Sequence, residues 1–372
     1  MRKKKAYSIV FSLVAASAFI TFFNAESVSR AAFTFLKKNI LNETFVQTSS
    51  RLLNVTPTTH LLTKSRIESI KRIYGHSWDE VITPYAAKYI IDGRNICNAS
   101  SPPSLLMFVL SLPKNTDERQ AIRRTWGSAA SRGNSTFNIS TKLVFMLGRM
   151  ANEIVSDNLV HNESTLYKDI VQIDFTESRY NLTRKMMHGL RWIKTFCGGV
   201  NYILKADDDT FTNVASMFNY LLTDSNINNK TIHGYFYRNG GRVMRKGKYA
   251  VKKDELPSSR YPPYVSGTAY IMPYDAISDM LDLAERLPYC PVDDAFMTGV
   301  LRVILDIKIQ HSGYFTDMFE RKINPCKFHS KITVTNINTK CMYLLWNLTT
   351  QVGVRDCKQP TFYDKNICSV FG

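Results

Sequence analysis

Two acidic groups in this sequence have the residue types and spacing for ionic chemistry. Asp207, Asp208 and Asp209 stand together at the end of the apolar run Tyr202-Ile203-Leu204-Lys205-Ala206, and Asp293 and Asp294 follow Cys290-Pro291-Val292. Three like charges so close repel one another by roughly 1 kcal/mol or more per pair even at high effective dielectric. An oxygen-seeking divalent cation such as Mg²⁺ or Mn²⁺, itself carrying a phosphate ligand, turns that repulsion into a binding site. A solvated acidic turn capping the next helix uses the same residues, because Asp favours helix N-termini. The pair Asp293-Asp294 faces a similar choice: it either caps the apolar, helix-like run through Leu305 or supplies a general base.

Basic and aromatic stretches offer partners. In Arg119-Gln120-Ala121-Ile122-Arg123 a helix places Arg119 and Arg123 on one face, where two guanidinium groups suit a diphosphate or nucleotide. A solvated basic face paired with Asp117 or Glu118 fits the spacing equally. Tyr261-Pro262-Pro263-Tyr264-Val265-Ser266-Gly267-Thr268-Ala269-Tyr270 combines rigid prolines, aromatic faces suited to sugar rings, and a Ser-Gly pair that admits close backbone approach. The same residues also suit a turn entering a hydrophobic strand.

The elements that position these groups alternate. Strands are expected at Leu105–Leu110, Leu143–Leu147, Asp169–Ile173 and the run into Asp207. Helices are expected from Asn115, capped in a box with Glu118, to about Trp126, from about Ala151 to Val160, and from Leu182 to Phe196. This alternation predicts an α/β domain with a mostly parallel, Rossmann-like sheet flanked by helices, and in such sheets ligands bind beyond the carboxyl ends of the strands. The Asp triplet lies at one such end.

The 372 residues and 44% hydrophobic content suit one large domain or two small ones with accessory segments. A net charge of +17 invites a nucleic-acid reading, but the cations are dispersed and no RNA-binding or zinc-finger pattern accompanies them, so no nucleic-acid partner is expected. Arg2, Lys3, Lys4 and Lys5 precede an uncharged run at residues 6–23, long enough as a helix to span a bilayer with its leading end cytosolic. A cleaved signal peptide is the competing reading. The division expected is a cytosolic tail at 1–5, a membrane anchor at 6–23, a luminal stem at 24–95 and a catalytic domain at 96–372. A secretory setting agrees with Asn-x-Ser/Thr sites at Asn42, Asn54, Asn98, Asn134, Asn138, Asn162, Asn181, Asn229 and Asn347. The seven cysteines contain no C-x-x-C pair; several should pair in an oxidising lumen, and the odd count leaves at least one thiol free or joined to another chain.

From about Cys97 to Trp346 the chain resembles the β-1,3-glycosyltransferases, the group holding β-1,3-galactosyltransferases, β-1,3-N-acetylglucosaminyltransferases and, more distantly, the Fringe enzymes. The resemblance rests on seven stretches in family order: Arg119 to Gly127, Phe145-Met146-Leu147-Gly148, Tyr167 through Phe175, Tyr180-Asn181-Leu182-Thr183 with Lys185, Lys205 to Asn213, Tyr261 to Tyr270, and Asp293 to Gly299. It implies a GT-A fold, a UDP-sugar donor, a glycan acceptor on lipid or protein, and Mn²⁺ held by Asp207 and Asp209. Arg119, Arg123, Lys205 and Asp208 then fall to the nucleotide, and Tyr264, Ser266, Gly267 and Asp293 to the sugars. Asp294 matches the family's catalytic base in a single inverting displacement. The resemblance also implies a single-pass type II protein of the Golgi membrane, with a homo- or hetero-oligomer left open.

Two departures stand out. Many relatives carry Glu-Asp-Val where this chain has Asp293-Asp294-Ala295, and Thr335 occupies a position often held by a metal-binding His; His329 reads as a surface histidine before it reads as a substitute ligand. Thr335 keeps open a noncatalytic sugar-binding relative, and the acidic cluster alone would also suit a metal-dependent phosphohydrolase. Galactose leads N-acetylglucosamine and N-acetylgalactosamine as the donor sugar.

Overall fold

A computed structural model describes residues 63–86, 88–97, 101–132, 139–151, 154–223, 230–316 and 331–350. The expected anchor at 6–23, the sites Asn42, Asn54, Asn98, Asn134, Asn138 and Asn229, and His329 lie outside them. No helix among the described residues is long and apolar enough to cross a membrane.

The described residues belong to one compact unit beginning at Thr63. Its first helix, α1 (Lys64–Tyr74), is capped by the Thr63 hydroxyl, which accepts from the Arg66 N–H, and it buries Ile70 and Tyr74. Strand β1 (Tyr89–Ile91) then pairs antiparallel with β4 (Ile170–Thr176). From Thr63 onward, therefore, the stretch assigned to a stem is part of the fold; its aromatic residues Tyr74 and Tyr85 are buried.

Eight strands form one mixed sheet in the order β1-β4-β3-β2-β5-β8-β7-β9. The strands β2 (Leu105–Leu110), β3 (Thr141–Arg149), β4 and β5 (Tyr202–Asp207) run parallel. Every residue of β2 is buried, which is why it reads as an unbroken apolar run. The sheet is mostly parallel, as expected, and its antiparallel pairings beyond β5 come from β8. The long strand β8 (Tyr264–Pro273) runs antiparallel to both β5 and β7 (Thr231–Tyr237), and β9 (Lys308–His311) is parallel to β7. The carboxyl ends of β2, β3, β4, β5, β7 and β9 and the amino end of β8 consequently share one end of the sheet.

Helices cover both faces. On one side α2 (Thr116–Arg124), α5 (Val214–Thr223) and α7 (Thr339–Thr350) pack Ile122, Met217, Phe218 and Leu345 against Val109, Phe145, Leu204 and Ile271. Helix α3 (Ile154–Tyr167) starts and ends later than expected. The other side carries α4 (Leu182–Phe196) with α6 (Ile277–Ala284), where Met186, Leu190 and Ile193 of α4 are fully buried. A two-stranded ribbon of β6 (Phe211–Thr212) and β10 (Thr333–Val334) brings the C-terminal segment back to the acid triplet. Cys97 and Cys197 form a disulfide that closes a separation of 100 residues, Cys341 is also disulfide-bonded, and Cys290 is free and buried.

Candidate active site

The acids lie where the parallel strands end. Asp207 closes β5, and Asp208 and Asp209 occupy the turn into β6, all three partly exposed. Asp208 is gripped from the β2 loop: the Asn115 amide donates to its Oδ2 at 2.9 Å. Asn115 stands at the N-cap of α2 as expected, but its Oδ1 makes no cap bond; the side chain is turned so that its Nδ2 donates to this longer-range partner. Burial raises the Asp208 carboxyl, against hydrogen bonds from Ser111 and Asn115. Asp209 is raised to about 7, first by burial and then by the charges of Asp207 and Asp208. Its Oδ1 is buried and has no hydrogen-bond partner.

Lys205 joins the two acidic groups. Its buried ammonium donates to Asp207 Oδ1 at 2.6 Å and to the carbonyl of Gly267. Burial opposes the charge on Lys205, yet Asp207, Asp293 and Asp294 outweigh it and hold the ammonium above its ordinary value. Lys205 was expected to meet nucleotide; its bonds are internal, and it acts by holding Asp207 and the start of β8.

Gly267 completes the link. Its N–H donates to Asp294 Oδ2 at 3.0 Å, while Asp294 Oδ1 accepts from the Ala295 N–H at 2.8 Å. A Cβ on Gly267 would stand 2.8 Å from the Asp294 Cβ, so only glycine lets β8 and the helix after Asp294 approach this closely. That helix is of π type over Ala295–Leu301, and Thr298 fastens it to β8 by accepting from the Val265 N–H at 2.9 Å. Burial first, and then the neighbouring charge of Asp293, raises Asp294 to about 7. Asp293 is raised by burial, against the pull of Lys205.

Arg119 and Arg123 stand apart from the open end of the site. The fully buried Arg119 guanidinium donates to Glu163 (2.8 and 2.6 Å), Ser111 Oγ (3.1 Å), Thr116 Oγ1 (3.1 Å) and the carbonyls of Leu112 (2.6 Å) and Pro113 (3.0 Å). Arg123 pairs with Asp169 at 2.8 Å and Glu163 at 2.7 Å. The acids that engage them are on α3 and before β4, distant in sequence, rather than the Asp117 and Glu118 of the same helix. Arg119 spends its donors on the loop that holds Asp208 and on Glu163, while Arg123 ties Glu163 to Asp169. Lys185 of α4 grips the same loop, donating to Ser111 O at 2.5 Å and Glu177 Oε1 at 2.6 Å.

At the amino end of β8, Tyr264 is half-buried with its ring centroid 5.1 Å from Tyr237 and 6.1 Å from Tyr261. Ser266 is buried and hydrogen-bonded to Thr268 Oγ1 at 3.2 Å. Thr335 reaches the triplet as the β10 pairing requires, but its hydroxyl bonds Thr210 Oγ1 at 3.2 Å. Asn162 on α3 and Asn347 on α7 are both exposed. No group of three or more His, Cys, Asp and Glu side chains among the described residues is arranged to hold a metal ion.

The family model described as Galactosyltransferase matches residues 117–313, from α2 through the acid triplet and Asp294 to the end of β9. This chain belongs to the galactosyltransferase family. It is 30% identical over 275 residues to mouse (Mus musculus) beta-1,3-galactosyltransferase 1, covering 74% of this chain and 82% of that protein. It is 29% identical over 251 residues to lactosylceramide 1,3-N-acetyl-beta-D-glucosaminyltransferase A of Xenopus laevis, covering 66% of each. Beta-1,3-galactosyltransferase 5 of Pan paniscus is 30% identical over 249 residues, covering 66% of this chain and 80% of that protein. Within this family member the matched segment contains every residue of the Asp207–Lys205–Gly267–Asp294 link.

Proposed function

We propose that this chain is an inverting β-1,3-glycosyltransferase. It moves a hexose or N-acetylhexosamine, galactose first among them, from a UDP-sugar to the 3-hydroxyl of a glycan acceptor on lipid or protein. The observation that carries the reading is the Asp294 carboxylate, held by two backbone N–H groups and joined through Gly267 and Lys205 to Asp207.

Asp294 takes the proton from the acceptor 3-hydroxyl as that oxygen attacks the anomeric carbon. The bond from that carbon to UDP breaks on the opposite face, the configuration inverts, and the proton stays on Asp294. A carboxyl raised to about 7 is matched to that task near neutral pH. Lys205 fixes Asp207 relative to β8, and Asn115 fixes Asp208.

The residues at the triplet fit a divalent ion bound together with a diphosphate. Asp209 presents a buried carboxylate oxygen that no protein group satisfies, the feature expected of a ligand atom. Asp207 and Asp209 would hold Mn²⁺. The ion, when bound, neutralises charge on the departing diphosphate. Thr335 supports a second reading, a sugar-binding relative without turnover, because a hydroxyl bonded to Thr210 stands where relatives often place a metal-binding His.

The proposal extends to a type II Golgi protein anchored through residues 6–23. The leading cationic cluster, the sequons and the Cys97–Cys197 disulfide support a secretory setting. Incubating the full-length protein with UDP-galactose, UDP-N-acetylglucosamine or UDP-N-acetylgalactosamine and a panel of glycan acceptors tests the activity. A β-1,3-linked product identified by NMR supports it; donor hydrolysis without transfer, or donor binding without turnover, overturns it.

A further inference from the structure

We propose that the β7–β8 connection recognises an acidic acceptor, taking a sulfated or carboxylated sugar of the glycan beside the transfer site. The proposal rests on the transferase reading above. Residues 238–260 contain eight Lys and Arg against Asp254 and Glu255. Two of these charges work inside the loop. Arg245 donates to the carbonyls of Val251, Lys252 and Leu256 at 2.9 Å, Pro257 at 3.1 Å and Ser258 at 2.6 Å. Buried Glu255 accepts from the Tyr180 hydroxyl and from the Lys252 N–H.

That organised scaffold leaves Arg238, Arg242, Lys246, Lys248, Lys252, Lys253 and Arg260 exposed, with Asp254 the exposed carboxylate of the segment. No ion pair among the described residues engages any of the seven cations. Two of them are cross-strand neighbours, and Arg260 spends one Nη2–H on the Asn239 carbonyl at 2.8 Å. Arg242 and Arg260 form an antiparallel bridge, fixed on either side by Val243 N–H to Ser259 O at 2.9 Å and Tyr261 N–H to Gly241 O at 2.8 Å. Like charges directly opposite across strands are destabilising, and an anion bridging both guanidinium groups reverses the sign.

The bridge adjoins the site. At Gly240, φ is +62° and a Cβ would stand 2.1 Å from Tyr261 O, so the two limbs close tightly at the base of the loop. A Cβ on Gly241 would lie 3.2 Å from the Tyr264 hydroxyl, and one on Gly299 would lie 3.1 Å from the Tyr264 Cβ. The basic hairpin thus rests on Tyr264, which rests on the helix begun by Asp294. Placement at the acceptor side favours a glycan over an anionic membrane, although exposed Met244 and Tyr249 would suit a lipid surface.

The test measures transfer by the full-length protein to a neutral acceptor and to its sulfated counterpart. It compares the parent with Arg242→Gln/Arg260→Gln and Lys246→Gln/Lys248→Gln. The sulfated acceptor should show the lower KM, rising about tenfold in each variant, the worth of two exposed charge contacts. KM for the neutral acceptor and kcat should hold, and added salt should erase the parent's preference. Equal effects on both acceptors overturn the proposal, as does loss of binding to phosphatidylserine vesicles with acceptor preference intact. If neither acceptor is glycosylated, the transferase reading fails separately. Calorimetry with the sulfated acceptor then decides the loop: weaker binding in the variants upholds it, and unchanged binding overturns it.

Discussion

Gly267 and Asp294 are in contact through both backbone and side chain: the Gly267 N–H lies 3.0 Å from Asp294 Oδ2, and a Cβ on Gly267 would intrude to 2.8 Å from the Asp294 Cβ. Gly267→Ala must therefore displace the Asp294 carboxylate while leaving it chemically intact. A displacement near 1 Å lowers kcat by about 100-fold. Steady-state kinetics should show that loss with UDP affinity, read by calorimetry, close to the parent's.

Transfer should rise with pH through an apparent pKa near 7, because Asp294, raised to about 7 by burial and by Asp293, must be ionised to accept a proton. Asp294→Asn should abolish that limb and lower kcat by roughly 100-fold to 10,000-fold with donor binding retained. The same shift has a stability consequence. A carboxyl whose folded pKa is raised contributes stability fully below its unfolded pKa and loses it as pH rises through about 7, so this contribution to the melting temperature should shrink from pH 4 to 8.

Chelation by EDTA, or Asp209→Ala, should weaken UDP binding. Because Asp209 is raised to about 7 without an ion, Mn²⁺ binding should release protons below that pH and tighten as pH rises. Calorimetry in buffers of different ionisation enthalpy reads the proton count directly. An unchanged UDP affinity after chelation would falsify the metal assignment.

Arg119→Met should destabilise the fold by about 3–5 kcal/mol, since it leaves Glu163 with one fewer cation in a buried ion-pair cluster. It should also loosen the loop from Ser111 to Asn115 and so weaken UDP binding through Asp208. Arg119→Lys should recover little, because an ammonium cannot replace a planar fork with this many bonds. Urea denaturation and nucleotide titration check the two effects.

Removing the Cys97–Cys197 disulfide should cost about 2–5 kcal/mol, as expected for a crosslink spanning 100 residues. The expected observation is a lower melting temperature in Cys97→Ala/Cys197→Ala, with native-like activity at low temperature.

Local patterns disclosed the half of the sheet made of parallel strands. The unbroken apolar run at Leu105–Leu110 and the period of Leu182–Phe196 match their elements residue for residue, and the triplet stands at a strand end as expected. Strand direction is not a local property, so the antiparallel β8 could not be read from composition. The same holds for side-chain destinations. Asn115 sits in a capping-box pattern but bonds a carboxylate 93 residues away, and Lys205 reaches a carbonyl 62 residues away. Periodicity put Arg119 and Arg123 on one helical face but could not say that the face turns inward, toward Glu163 and Asp169.

Cys290 is fully buried, burial pushes its thiol up to about 12, and it lies three residues before Asp293. In the native state it is inert to alkylating reagents. It is therefore a clock for opening of the segment that carries Asp294: its labelling rate counts excursions in which β8 and the π-helix part, and a bound donor or acceptor that holds them together should slow that rate in proportion to occupancy.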